Sequence, residues 1–159
     1  MEMMMLLRSP LLAIVALGVM LGFAPHPALA ATTAADWSAN GGTACEKYLS
    51  PAVTDAILNS HAGPPKRTDP TSCNSYPIYV RLLPANVASF RSQMPRIAGA
   101  HPISGIGDAA YWNEAGALSA VKGDRGCDIN VLVPGSSKVT GEALARKLGL
   151  VCEQLFAIP

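Results

Sequence analysis

Residues 117–133, ALSAVKGDRGCDINVLV, constrain this chain more than any other stretch. Leu118, Ala120 and Lys122 alternate with Ala117, Ser119 and Val121. After the turn Lys122-Gly123-Asp124-Arg125-Gly126, the residues Cys127, Ile129, Val131 and Val133 alternate with Asp128, Asn130 and Leu132. Successive side chains of a strand point to opposite faces. Period-two patterning on both sides of a glycine turn therefore predicts an antiparallel hairpin, one face buried and the other partly wet. The preceding AAYWN reads as a third strand, joined through Glu114-Ala115-Gly116. The following GEALARKLGLVCEQLF reads as an amphipathic helix. Its apolar stripe is Leu144, Leu148, Val151 or Cys152, and Leu155, with Arg146, Lys147 and Glu153 off it.

Upstream, YPIYVRLL reads as a strand with Tyr76, Ile78, Val80 and Leu82 on one side and Pro77 tolerated near its start. ANVASFRSQM reads as a helix opened by Pro84 and interrupted by Pro95, with Val87, Phe90 and Met94 on one face. Thr43 and Glu46 form a capping-box pattern for a short helix that turns Cys45, Tyr48 and Leu49 inward. Ser50-Pro51 restarts it, with Val53, Ala56 and Ile57 at helical spacing. HAGPPKRTDPTSCNS and GAHPISGIGD are expected to be irregular connections, because prolines and glycines punctuate both. No internal repeat is present. The order helix, strand, helix, three strands, helix predicts an α+β fold: an antiparallel sheet of about four or more strands flanked by helices.

The start of the chain bears on compartment. Arg8 precedes the apolar run LLAIVALGVMLGF, and APHPALA follows it. About 13 apolar residues make a helix of roughly 20 Å, short of a bilayer core of about 30 Å. Proline and the Ala28-Leu29-Ala30 signature predict a signal peptide over residues 1–30, cleaved between Ala30 and Ala31. An uncleaved anchor is the alternative, borrowing Met3 to Leu7 from beyond Arg8. Residues 31–42 read as a flexible leading segment containing Trp37, and 43–159 as a single α+β domain. No stable membrane anchor is expected after cleavage, and no cysteine follows the apolar run closely enough to carry a lipid. The formal net charge is +1, and the basic residues are scattered. That balance supplies no electrostatic attraction for nucleic acid or for anionic membranes.

All four cysteines, Cys45, Cys73, Cys127 and Cys152, lie beyond the leader. An exported chain meets an oxidising compartment, and an even count without C-x-x-C favours two disulfides over a metal site or a redox pair. Of the three possible pairings, Cys45–Cys73 with Cys127–Cys152 joins neighbouring elements.

GIGDAAYW, then GALSAVKGDRGCDINVLV, then EALARKL resembles a pattern in small exported bacterial proteins of unknown function. ACEKYLSPAVTDAIL is similar to their opening helix, whose first cysteine is often matched by one near Cys73. Those proteins resemble the group with the antiparallel α-β-α sandwich named after the PsbP subunit of photosystem II. The resemblance spans about Cys45 to Phe156. It implies a fold and brings no catalytic or ligand residues, and Cys127 and Cys152 are additions to it.

Motifs that carry chemistry are few. Gly105, Gly107 and Ala110 match G-x-G-x-x-A, but a dinucleotide fingerprint needs a strand before it and a helix after it. Here a proline-containing loop precedes and a strand follows, so Gly107 is expected at positive φ in a tight entry to that strand. His61 and His101 sit beside loops without nominated carboxylates, and Ser104 lacks an activating turn. Tyr111 and Trp112 must face opposite ways, one toward the core and one toward a surface. Lys66-Arg67, in a proline-stiffened loop tethered by Cys73, has the look of a protease-inhibitor bait. The expectation is an exported, non-catalytic binding or interaction domain for an unknown protein or small-molecule partner. No catalytic residues, metal or cofactor are assigned. The alternatives are a small secreted hydrolase or, behind it, an inhibitor using Lys66-Arg67.

Overall fold

Residues 117–131 form the expected antiparallel hairpin within a larger sheet, but Leu132 and Val133 lie exposed past the strand's end, and Val121 is buried where Lys122 is exposed. The computed structural model describes residues 44–59, 61–133 and 135–158, with side chains of the first helix from Glu46 onward. Its elements are α1 (Ala44–Tyr48), α2 (Pro51–Ile57), β1 (Lys66–Asp69), β2 (Ser72–Ser75), β3 (Ile78–Pro84) and α3 (Val87–Gln93). A 3₁₀ turn over Met94–Arg96 follows, then β4 (His101–Ile103), β5 (Ala109–Asn113), β6 (Ala117–Lys122), β7 (Arg125–Val131) and α4 (Gly141–Phe156). The sheet has seven strands in the order β1-β2-β3-β7-β6-β5-β4. Every neighbouring pair is antiparallel. The fold is α+β, an antiparallel sheet flanked by helices.

Register sorts the side chains into two faces. Val80 lies opposite Ile129, Ile129 opposite Leu118, and Leu118 opposite Trp112. One row further, Leu82, Cys127, Ala120, Ala110 and Ile103 line up across five strands. All but the half-buried Trp112 are buried, and they meet Leu144, Leu148, Val151 and Leu155 of α4. Leu49, Ile57 and Leu58, from α1, α2 and their flanks, complete this core. Cys127 and Cys152 are joined in a disulfide, with Cα atoms 5.7 Å apart. It fastens α4 to the sheet's central strand and closes a 25-residue span. On the chain-entropy account such a loop stabilises by about 3–4 kcal/mol.

Two expected connections are in fact strands. Residues 66–75 form the hairpin β1–β2, with Arg67 opposite Cys73. Its turn is closed by Asp69, whose carboxylate accepts from the Thr71 amide at 2.8 Å and the Thr71 hydroxyl at 2.9 Å. Sequence pattern hid β1 because all four of its residues are exposed. Residues 101–103 form β4 despite Pro102, which is tolerated because β4 is an edge strand. Tyr76, grouped with Ile78, Val80 and Leu82 in the strand, lies ahead of β3 in the Tyr76-Pro77 turn and is 59% exposed. Ala56, expected on the inner face of α2, is exposed, and Thr54 is buried there instead. The Thr54 hydroxyl is satisfied by the Ser50 and Pro51 carbonyls.

The loop between β4 and β5 is a clasp. Ile106 is buried against Gly149 of α4, where a β-carbon would collide with the isoleucine. The Gly107 amide donates to the Glu153 carboxylate of α4, and the Asp108 carboxylate accepts from the Gly123 amide at 2.7 Å. Gly107 has φ +53°, and a side chain there would land on the Val121 carbonyl. The expectation of positive φ at Gly107 is met.

Candidate functional site

The sheet's second face carries the polar half of each alternation. Across it run Asn74, Tyr79, Asn130, Ala117 and Asn113 in one row. Ser72, Arg81, Asp128, Ser119 and Tyr111 make the next. Arg81 pairs with Asp128 at 3.5 Å, and the Tyr79 hydroxyl donates to Ser72 at 3.0 Å. The side-chain oxygens of Asn74 and Asn130, on either side of Tyr79, are covered yet have no hydrogen-bond partner among the described residues.

Helix α3 is the cover over the β5–β6 end of this face. Asn86 caps it, its side chain accepting from the Ser89 amide at 3.0 Å. Phe90, and Met94 just past the helix, line the groove with the sheet, and Val87, Phe90 and Met94 are all half-buried. Phe90 rests edge-on against Tyr111 with ring centroids 5.8 Å apart, and Arg91 donates to the Asp108 carbonyl at 2.6 Å. Between this helix and the sheet lies an open groove of about 400 Å³. Leu83, Phe90, Met94 and Ile97 form its apolar walls, and Ser119 and Asp128 lie on its floor. That size falls within the roughly 300–1,000 Å³ of small-molecule sites, and the mixture of apolar wall and few polar groups matches theirs.

No family model matches this chain, and no curated protein and no solved structure matches it.

Among the described residues, Asp128 is the one titratable side chain that lines the groove, and it is engaged by Arg81. Ser89 and Ser119 offer hydroxyls without a histidine beside them in the lining. His61 lies elsewhere, its Nδ1 2.9 Å from the Asp55 carboxylate, and His101 on β4 stacks on Trp112 at 4.9 Å. Among the described residues no group of three or more His, Cys, Asp or Glu side chains is placed to hold a metal ion.

The remaining candidate residues are placed as follows. Cys73 is fully buried and disulfide-bonded. The side chain of Cys45, the cleavage residues Ala30 and Ala31, Thr43 and Trp37 lie outside the described residues. Lys66 and Arg67 lie in the hydrogen-bonded edge strand β1, not in a protruding loop. Tyr111 and Trp112 do face opposite sides, and both are half-buried: Tyr111 beside the groove, Trp112 over the core. Sequence reasoning missed the groove itself, although its parts were visible as the polar positions Ser119 and Asp128 and the apolar face of α3.

Proposed function

We propose that this chain is an exported, non-catalytic binding domain that takes a small amphipathic molecule in the groove between α3 and the sheet. The observation that carries the reading is an open 400 Å³ space with apolar walls and a polar floor, bordered by a helix without a buried residue. An apolar body would lie against Phe90 and Met94, and a hydrogen-bonding end would reach Ser119 and the Arg81–Asp128 pair. Export is supported by the Cys127–Cys152 disulfide, a bond that persists in oxidising compartments. Among the described residues no helix is long and apolar enough to cross a membrane. Material recovered outside the cytoplasm is expected to begin at Ala31. Its non-reducing peptide map is expected to link Cys45 to Cys73.

The test uses the neutral dye N-phenyl-1-naphthylamine. The expected result is enhanced fluorescence with the native mature chain that Phe90→Asp abolishes while leaving the far-ultraviolet circular dichroism intact. Enhancement that survives Phe90→Asp would place the apolar site elsewhere and contradict the reading.

A further inference from the structure

The outward side of α4, across the molecule from the groove, carries the largest exposure of any large apolar side chain described: Leu150, at 66%. It is a knob between two hollows. On one side Ala52, Val53 and Ala56 of α2 with Val151 of α4 line a space of about 290 Å³. On the other, Ile106 and Gly149 line a second of the same volume. Leu150 and Lys147 border both.

The sequence of α4 reads symmetrically about this leucine. Three residues before it is Lys147 and three after is Glu153. Lys147 makes no ion pair among the described residues. Glu153 is held in place by the Gly107 amide and by Lys122 at 3.2 Å, with its side chain partly exposed. In an antiparallel pair of α4 helices crossing at Leu150, position +3 of one helix faces −3 of the other. Lys147 of each copy would then meet the Glu153 of its counterpart. A parallel pairing would instead set lysine on lysine and glutamate on glutamate. Self-complementarity of this kind, with residue i meeting j while j meets i, is the requirement of a two-fold interface.

We propose that this face of α4 is the homodimer interface of the mature chain, each Leu150 seating in the hollow beside the other copy's α4. The opposite charges fix the antiparallel orientation, and the exposed leucine supplies the apolar contact. The ligand groove lies on the other face of the sheet and stays open in the dimer.

Sedimentation velocity of the mature chain across a concentration series tests this. A reversible monomer–dimer equilibrium is expected. Leu150→Glu should raise the dissociation constant by about a hundred-fold or more, because a two-fold dimer buries two copies of that leucine. Lys147→Glu should weaken the dimer, with a loss that shrinks as salt is added. Leu150 is exposed in the monomer, so both variants should keep the native melting temperature at concentrations where the chain is monomeric. A chain that is monomeric at every concentration overturns the proposal, whether its own leading residues or another partner covers the face. A dimer indifferent to Leu150→Glu overturns it as well.

Discussion

The two faces of one sheet are built from alternate residues of the same strands, yet they do different work. On the α4 side, Val80, Ile129, Leu118 and the helix stripe close a dry core, and a disulfide fastens helix to strand. On the α3 side, the neighbouring residues Tyr79, Arg81, Asp128 and Asn130 stay half-exposed or exposed, and the covering helix buries nothing completely. α4 has 16 residues and α3 has seven. A helix of two turns cannot hold itself together in water, so its order depends on what it rests upon. Stability is thus concentrated on one side of the sheet. The other side keeps an open space bordered by a short helix without a buried residue.

Two neighbours on β7 put this asymmetry at greatest risk. Ile129→Ala is expected to cost about 2–5 kcal/mol in denaturant unfolding, the range for deleting a buried aliphatic side chain. Asn130→Ala, one residue on and facing the other way, is expected to stay within about 0.5 kcal/mol. Equal losses at the two positions would mean that both faces carry the fold.

The clasp between β4 and β5 comes next in size. Gly107→Ala should destabilise by more than the ~1 kcal/mol of a tolerant glycine site, because the new methyl meets the Val121 carbonyl at positive φ. Added nucleotide should leave the melting temperature of wild type and variant unchanged, since the Gly107 amide is already taken by Glu153. A variant that melts like wild type would show that α4 does not depend on this clasp.

The smallest effect is expected at the sheet's exposed edge. The Asp69 carboxyl is held below its usual range, first by the Thr71 amide and then by the Ser72 hydroxyl. A carboxyl with a lowered folded pKa adds stability that is present above the unfolded value and lost as pH falls through the folded one. The β1–β2 turn should therefore be fully formed at neutral pH and loosen only below the ordinary aspartate range. Faster exchange of the Thr71 amide at acid pH checks this, and Asp69→Ala should flatten the dependence.

How far the sequence revealed this arrangement follows from the same asymmetry. Buried faces impose a period, so β3, β6, β7 and the stripe of α4 could be read directly. The Cys127–Cys152 pairing followed from which elements had to meet. β1 was hidden because an edge strand with four exposed residues, Lys66 to Asp69, has no buried face to mark it. β4 was hidden by Pro102 and its brevity. The groove was legible only in pieces. The spacing of Val87, Phe90 and Met94 showed which side of α3 faces inward. It did not show that this side would settle over polar Ser119 and Asp128 without sealing against them.

Native-state hydrogen exchange, read helix by helix in the unliganded mature chain, measures this division of labour itself. Amides of α4 between Leu148 and Leu155 are expected to exchange only through global unfolding, with free energies equal to that of the whole domain. Amides at the end of α3, Phe90 to Gln93, are expected to exchange through local opening at a small fraction of that free energy, insensitive to low denaturant. Protection of α3 equal to that of α4 would contradict the account, because the helix bordering the groove would then be part of the core.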